Sequence, residues 1–367
     1  MTNPQRSDVN EPRYDVLWPL ARRAVSGQAA APRQARAHVP RRPGRGRPAL
    51  PAALPGAGVP RVCVIGSANV DYTVALPRLP SPGETVSGGT LLINLGGKGA
   101  NQAVAARRLG GEVRMIGCVG DDADGRRIRE SLGAAGIGVD GLRASREAAT
   151  GTALIMVDAQ GRNQIAVAPG ANHHLTVEMV APYAESIAWA DVVACQLETP
   201  LPVVRWALGE ARRHDVTTIL NPAPVQPLDS EILALVDFLT PNEHEAARLA
   251  GLAVDSLESA RAAAGRLLAL GAGAVLVTLG ERGVLACAGD GAAHFATFPV
   301  EAVDTTAAGD AFNGALAVGL AAGGTLEQAI PLANAAAALA CTKRGAQDSL
   351  PERAEVEAFL RSLGGSP

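Results

Sequence analysis

The stretch Asp304-Thr-Thr-Ala-Ala-Gly-Asp310-Ala-Phe-Asn-Gly314 puts an acidic residue where a turn of small residues runs into an apolar helix. Small residues let backbone N–H groups approach an anion closely, and a helix N-terminus carries about half a positive charge. A carboxylate beside such an anion pocket can take a proton from an attacking hydroxyl. The stretch predicts an anion pocket next to a general base, although a loop followed by a capped, Ala-rich helix is the simpler alternative.

A second unusual stretch, Asn94-Leu-Gly-Gly-Lys-Gly-Ala-Asn-Gln102, lies far upstream and opens another helix. It has neither the spacing of a Walker A loop nor that of a Rossmann dinucleotide fingerprint. A simple helix-start turn is one interpretation. The other is a polyol site, in which Lys98 and Asn101 donate to hydroxyls that Asn69 and Asp71 face, because buried hydroxyls need paired donors and acceptors.

Composition limits the classes of protein that fit. The chain has 367 residues, of which 47% are hydrophobic and 19% charged, enough for one large α/β domain. Residues 1–59 carry ten Arg and three acidic residues, net +7, and the remainder carries net −10. We expect residues 1–59 to be a disordered basic extension and 60–364 to form the domain. The acidic body argues against nucleic acid as a partner, and no apolar run reaches the roughly 20 residues that span a bilayer.

Five cysteines are scattered singly along the chain, at 63, 118, 195, 287 and 341. No two of them have the spacing of metal ligands, and four lie inside apolar runs. Buried, reduced thiols are typical of a cytoplasmic protein. The sequence therefore predicts a cytoplasmic location.

Strand and helix patterns alternate along most of the chain. The predicted strands are 61–66, 72–76, 85–93, 113–119, 150–157, 163–167, 191–196, 217–221, 236–240, 274–279 and 283–288. The predicted helices are 99–109, 124–135, 201–214, 243–250, 257–270, 308–322, 326–342 and 352–363. This order predicts an α/β fold with a central, mostly parallel sheet flanked by helices on both faces. The β-rich stretches within about 72–95 and 150–168 do not fit the alternation, so we interpret them as a small β-sheet lid.

Together, the stretches at 94–102 and 304–314 resemble the paired signatures of the ribokinase-like (PfkB) family of sugar kinases. The resemblance covers about residues 61–362. It implies ATP-dependent phosphorylation of D-ribose at the 5-hydroxyl, with Asp310 as general base. It also implies an anion hole made by the backbone N–H groups of Ala307, Ala308 and Gly309. The segments Gly96–Asn101, Gln196–Glu198 and Asn221–Pro224 resemble members that act on ribose more than those that act on fructose or adenosine.

The resemblance also assigns ligands to individual positions. The sugar-binding positions are Asn69, Asp71, Gly97, Lys98, Asn101, Glu198 and Asp310. The nucleotide-binding positions are Asn242, Thr278, Gly280, Glu281, Gly283, Gly309 and Asn334. Mg²⁺ is implied next to Glu245 through water, although Asn242 and Glu245 also fit an ordinary helix N-cap. K⁺ is implied at Asp304, Thr306, Ala340, Lys343, Gly345 and Ser349, and a homodimer through the small sheets.

Other functions are also to be weighed against these sequence features. A kinase of 2-deoxyribose, fructose or adenosine would share the same signatures. A non-catalytic sugar sensor would lose the base or the anion turn, and both are present. A nucleotide-binding oxidoreductase would need a dinucleotide fingerprint at Ile65-Gly-Ser-Ala-Asn69, which lacks the second and third glycines.

Overall fold

The computed structural model describes residues 58–364. The extension predicted to be disordered thus lies outside the described residues, except for Gly58 and Val59. Within 58–364, no helix is both long enough and apolar enough to cross a membrane.

A large sheet forms the centre of the fold. Its strands within residues 58–364 are β1 (Arg61–Ile65), β4 (Glu112–Gly120), β5 (Leu142–Ser145), β8 (Val192–Cys195), β9 (Thr217–Leu220), β10 (Phe238–Leu239), β11 (Ala274–Thr278), β12 (Val284–Ala288) and β13 (Gly291–Phe295). They lie in the order β13-β12-β11-β10-β9-β8-β1-β4-β5. All neighbours from β11 to β5 are parallel, and only the β11–β12 and β12–β13 pairs are antiparallel. The predicted mostly parallel sheet is therefore confirmed.

Helices cover both faces of this sheet. They are α1 (Lys98–Arg108), α2 (Ala123–Ala134), α3 (Val177–Val180), α4 (Ala184–Trp189), α5 (Leu201–Arg213), α6 (Ser230–Leu233), α7 (Glu243–Ala250), α8 (Leu257–Ala269), α9 (Ala308–Ala321), α10 (Leu326–Cys341) and α11 (Arg353–Gly364). Because side chains alternate along a strand, Val62 and Val64 of β1 join one buried cluster, with residues of α1, α9 and α10. Cys63 and Ile65 join a second cluster, with residues of α5, α7 and α8. Each face of β1 thus has its own apolar core.

A second, smaller sheet contains the strands that do not fit the alternation. These are β2 (Asn69–Ala75), β3 (Thr90–Gly96), β6 (Gly151–Val157) and β7 (Asn163–Ala168), in the order β3-β2-β6-β7. The β2–β3 and β6–β7 pairs are antiparallel, and β2 pairs with β6 in parallel. Three residues separate the end of β1 from the start of β2, so the small sheet lies directly beyond the carboxyl end of a central strand.

The boundaries of several elements differ from the sequence prediction. β3 occupies 90–96 rather than 85–93, and β10 is reduced to two residues. Strands β5 and β13 and the short helices α3, α4 and α6 are absent from the prediction. Each of these unpredicted elements has six residues or fewer, which is too short to display a clear hydrophobic period.

Candidate active site

The N-terminus of α9 is open toward a cavity. Ala307, the residue before the helix, has φ 61° and ψ 5°, a left-handed conformation that is uncommon for alanine. The N–H of Ala308 donates to Thr305 O at 3.3 Å. Those of Ala307 and Gly309 have no main-chain partner in the described part of the chain. Two of the three predicted anion-hole donors are therefore free, and the third is engaged in a long hydrogen bond.

Asp310 lies in the first turn of α9 and is only 5% exposed. Its Oδ2 accepts from Asn101 Nδ2 at 2.9 Å, and its Oδ1 accepts from Gln102 Nε2 at 3.1 Å. Burial raises the pKa of this carboxyl, while the charge of Lys98 and the two amide hydrogen bonds oppose that rise. The structure thus joins the two signature stretches, which are about 200 residues apart in sequence, through the side chain predicted to be the base.

A cavity of about 200 Å³ adjoins Asp310. Predicted site residues in its lining are Lys98, Asn242, Glu245, Thr278, Ala307, Gly309 and Asp310. The lining also contains Asn221, Ala223, Thr240, Thr305 and Asn313. A larger cleft of about 420 Å³ lies elsewhere, between α2 and β5, and contains none of the predicted site residues. The chemistry therefore belongs to the smaller cavity.

Lys98 stands among three carboxylates. Burial by itself would lower the pKa of its ammonium group, but the charges of Asp310, Glu198 and Glu245 raise it. A lysine in such surroundings stays protonated. It brings positive charge to the point where the sugar-side residues and the first turn of α9 meet.

Glu198 is held from two directions on the sugar side of the site. Its Oε2 accepts from Ser67 Oγ and, at 3.0 Å, from the backbone N–H of Lys98. Because both contacts use one carboxylate oxygen, the other oxygen is left to accept from a ligand hydroxyl.

Asn69 and Asp71 lie near the start of β2. Asn69 Oδ1 accepts from Asn172 Nδ2 at 2.7 Å, and Asn172 Oδ1 accepts from the backbone N–H of Ala68 at 2.9 Å. Burial and the nearby charge of Glu198 raise the pKa of Asp71 to about 6. The predicted sugar-side residues thus include two carboxylates close enough to interact.

Glycines at 97 and 99 are required by the close approach of this segment to the β1–β2 connection. Gly97 has φ 88°, and a Cβ there would lie 2.8 Å from Ala68 Cα. A Cβ on Gly99 would lie 2.6 Å from the backbone of Gly66 and Ser67. Larger residues at either position would push α1, and with it Lys98 and Asn101, away from the site.

Asn242 and Glu245 form a capping box at the start of α7. Asn242 Oδ1 accepts from the N–H of Glu245 at 2.8 Å, and Glu245 Oε2 accepts from the N–H of Asn242 at 2.9 Å. The ordinary N-cap interpretation is therefore correct as a description of their local bonding. Both residues nevertheless line the cavity, and burial raises the pKa of Glu245.

Most of the remaining predicted nucleotide-binding residues lie outside the cavity lining. Gly280, Glu281, Gly283 and Asn334 do not line the cavity, although Thr278 does. Glu281 is exposed and makes no hydrogen bond or ion pair within residues 58–364. Asn334 is buried, and its Nδ2 donates to Ala296 O at 3.2 Å. Of these five residues, Thr278 alone lines the cavity.

Two of the other predicted cation-site residues, Thr306 and Gly345, bond to Asp304. Its Oδ1 accepts from the N–H and hydroxyl of Thr306 at 2.9 and 2.6 Å, and its Oδ2 accepts from the N–H of Gly345 at 3.0 Å. Burial would raise the pKa of Asp304, but these hydrogen bonds lower it below its ordinary value. Lys343 directs its ammonium to Glu355 at 2.7 Å, and Ser349 Oγ donates to Ala346 O at 2.9 Å. An ionised Asp304 thus joins the turn before α9 to the segment after α10.

Sequence reasoning missed four buried polar residues that hold the site together: Ser67, Gln102, Asn172 and Asn313. Asn313 accepts from Thr240 Oγ1 at 2.7 Å and donates to Gly309 O at 2.8 Å. Gln102 ends the glycine-rich stretch, and Asn313 lies within the stretch at 304–314. Their position next to singled-out residues was the available signal.

The arrangement has the parts that transfer of an anionic group to a hydroxyl needs. A buried carboxylate adjoins free N–H groups at a helix N-terminus, and a lysine and a capped helix line the same cavity. Asp71 and Glu198, which lie outside the cavity lining, supply two further carboxylates that interact with each other. The fold and this site define a class, the carbohydrate kinases with a small sheet beyond the large one.

Comparison with known proteins identifies the family. Residues 59–353 match the family described as pfkB family carbohydrate kinase, and the chain belongs to it. The ribokinase of Bacillus subtilis is 42% identical over 299 residues, covering 82% of this chain and 99% of the relative. The deoxyribokinase of Salmonella typhi is 36% identical over 300 residues, covering 82% and 98%. The structure of Arabidopsis thaliana ribokinase complexed with ribose and ATP is similar at TM-score 0.79 and 34% identity, covering 84% of this chain and all of that one.

Proposed function

We propose that the protein phosphorylates D-ribose at its 5-hydroxyl with ATP as donor. The observation that carries the proposal is the place of Asp310, whose buried carboxylate lies between the amides of the glycine-rich segment and the open N-terminus of α9. The identity to ribokinases over nearly their whole length supports ribose as the acceptor.

In this proposal, Asn69, Asp71, Glu198 and the segment at Gly97–Asn101 bind the sugar hydroxyls. Asp310 removes the proton from the 5-hydroxyl as its oxygen attacks the γ-phosphorus, and ADP leaves. The free N–H groups at the start of α9 and the ammonium of Lys98 stabilise negative charge on the transferring phosphoryl group. The small sheet excludes water, which competes as acceptor.

The residues present suit the cations that the family resemblance implies. Glu245 accepts one hydrogen bond on each carboxylate oxygen and retains lone pairs toward the cavity, the donor type that Mg²⁺ prefers. When bound, Mg²⁺ would neutralise charge on the phosphate oxygens. The ionised carboxylate of Asp304 is an oxygen ligand that suits K⁺, which would order the turn before α9. Replacement of K⁺ by Li⁺ should lower kcat in the parent and have less effect in Asp304→Asn.

A coupled assay of ADP release with ribose, 2-deoxyribose, fructose and adenosine tests the acceptor. Ribose should give the highest kcat/KM. The second candidate is 2-deoxyribose, which the relationship to a deoxyribokinase favours. A kcat/KM for 2-deoxyribose above that for ribose would replace the assignment, and equal values for all four would reject it.

The apolar surface of the small sheet supports a homodimer. Leu92, Ile165 and Val167 are 50%, 57% and 58% exposed, and strand pairing puts them on the same face as Asp71. A second copy of this sheet is the occupant we propose, because an apolar sheet face continuous with the site would otherwise face water. Sedimentation should show a dimer for the parent, a monomer for Ile165→Asp, and a dimer for Leu257→Asp, a control on the exposed surface of α8. An Ile165→Asp dimer would reject this interface.

The location proposed is the cytoplasm. All five cysteines are free, and four of them are buried. Recovery of the protein from an oxidising compartment would contradict this.

A further inference from the structure

A chain of buried amides reaches Asp310 from the large sheet behind it. Gln102 Nε2 donates to Asp310 Oδ1 at 3.1 Å and to Asn221 Oδ1 at 3.2 Å. Gln102 Oε1 accepts from Gln196 Nε2 at 2.7 Å. Gln102 is 1% exposed and Gln196 is fully buried, and neither lines the cavity. Gln102 therefore contacts Asp310 from outside the cavity lining, and Gln196 acts on Asp310 only through Gln102.

The orientation of the Gln102 amide determines whether its NH₂ group or its oxygen faces the carboxylate of Asp310. An ionised carboxylate only accepts hydrogen bonds, so Gln102 must turn its NH₂ group, and not its oxygen, toward Asp310. The contact with Gln196 favours this orientation, because the NH₂ group of Gln196 donates to the oxygen of Gln102. A flipped Gln102 amide would bring its oxygen against the carboxylate and its NH₂ group against that of Gln196.

The anchors of this chain of amides are rigid. Gln196 directly follows β8 and Asn221 directly follows β9, two neighbouring parallel strands in the middle of the large sheet. Asn221 Nδ2 in turn donates to Thr240 O at 3.3 Å. The side chain of Asp310 on α9 is thus connected, through Gln102, to residues at the carboxyl ends of two central strands.

The two oxygens of Asp310 have different neighbours. Oδ2 is held by Asn101, which belongs to the predicted sugar side and whose own Oδ1 has no partner within residues 58–364. Oδ1 is held by Gln102, which is not itself among the predicted ligand-binding positions. Sugar contacts can therefore change the environment of Oδ2, whereas the Gln102 contact is built into the fold.

We propose that Gln102, held by Gln196, is a positioning residue that fixes the Asp310 carboxylate in the orientation in which it removes the proton from the acceptor hydroxyl. The inference rests on the proposed function, since it assigns Asp310 as the base. It extends that function to two residues that touch neither sugar nor nucleotide.

The electrostatics agree with this geometry. Burial raises the pKa of Asp310, and the Gln102 hydrogen bond is one of the contacts that hold the rise in check. The base must be ionised to accept a proton, so kcat/KM falls as pH drops through the pKa of Asp310 in the free enzyme. Loss of the Gln102 donor should raise that pKa and move the acid limb of the profile to higher pH.

The test replaces each glutamine by methionine, which has a similar length and no strong donor or acceptor. Gln102→Met should lower kcat by about tenfold to a hundredfold, the range for one lost hydrogen bond to a charged group. It should also move the acid limb of kcat/KM to higher pH and leave the KM for ATP unchanged. Gln196→Met should change the same quantities in the same direction and by less, because the Gln102 donor remains but is free to flip.

A matched control separates positioning from stability. Thr218 is fully buried in β9, where its hydroxyl bonds to Leu235 O at 2.8 Å and to Asp237. Thr218→Val should lower Tm and leave the acid limb in place. The inference is overturned if Gln102→Met keeps the parent kcat and acid limb, or if Thr218→Val moves the limb as far.

Failure of this inference can be distinguished from failure of the proposed function. An active Asp310→Asn variant would remove Asp310 from its role and overturn both. An inactive Asp310→Asn variant beside parent-like glutamine variants would overturn only the positioning role. If Gln102→Met shows no cooperative unfolding, Gln196→Met decides the question: a shifted acid limb supports the inference and an unshifted one rejects it.

Discussion

The predicted sugar side and the predicted nucleotide side of the candidate site are built differently. On the sugar side, Asp310, Glu198 and Asn69 are each held by side-chain hydrogen bonds to residues about 100 to 200 positions away. On the nucleotide side, the capping box at Asn242 and Glu245 is local, and Glu281 is exposed. Two further nucleotide-side positions, Gly280 and Gly283, are glycines with positive φ.

This difference indicates how each ligand would be recognised. A sugar presents several hydroxyls that must all be satisfied, so its pocket needs fixed donors and acceptors. Phosphates and a flat base can be bound by backbone N–H groups and by close approach, which require shape more than particular side chains. We therefore expect side-chain substitutions to matter on the sugar side and backbone changes to matter on the nucleotide side.

The largest effect should come from Asp310, which belongs to both sides. Asp310→Asn should lower kcat by about 10²–10⁴-fold, the usual range for a lost general base. The protein should remain folded, because the amide keeps an oxygen that can accept from Asn101 or Gln102. Steady-state kinetics with a thermal melt check this, and near-normal turnover would remove Asp310 from the mechanism.

The next largest effect should come from Glu198→Gln, and it should be confined to the kinetics measured with the sugar. The variant loses the charge that Ser67 and the N–H of Lys98 hold, and we expect kcat/KM for ribose to fall by about tenfold to a hundredfold. The KM for ATP should not change. Glu210→Gln is a matched control, since Glu210 is a buried glutamate paired with Arg213 on α5, away from the cavity. Equal losses in the two variants would contradict the sugar-side assignment.

The pH dependence of ribose binding should sharpen the comparison further. The pKa of Asp71 is raised to about 6, so this carboxyl is ionised above that pH and protonated below it. If the ionised form accepts from the sugar, the KM for ribose should rise by up to about tenfold per unit as pH falls below about 6. The KM for ATP should stay level over that range. In Asp71→Asn this rise should be lost; its persistence would assign it to another group.

The smallest effect should come from Glu281. Glu281→Ala removes an exposed side chain with no partner in the described residues and should change the KM for ATP by less than about twofold. Gly283→Ala, two positions away, should raise that KM clearly. Gly283 has φ 86°, and an added Cβ would lie 2.1 Å from Phe295 O, so the backbone must shift. The reverse order of effects would show that side chains dominate the nucleotide side after all.

The sequence predicted the long, periodic elements and the residues within the two signature stretches. Helix α7 begins and ends where the pattern places it, at Glu243 and Ala250. Four-residue elements such as β5 and α6 were missed because they are too short for a hydrophobic pattern to repeat clearly.

Contacts between residues that are far apart in the sequence could not be predicted either, because they depend on the fold. Gln102 and Asp310 are 208 residues apart, and nothing in their spacing indicates that they meet. Asn172 reaches Asn69 across 103 residues in the same way. The nucleotide role of Glu281, which the family resemblance alone implies, stays a prediction.

The most direct test of the central claim is the position of the phosphate in the product. Proton-coupled ³¹P NMR of the reaction of ribose with ATP should show one new phosphomonoester signal split into a triplet by the two protons on C5. The same signal should be almost absent with Asp310→Asn. A doublet from phosphate on the anomeric carbon, or an undiminished triplet with the variant, would contradict the account.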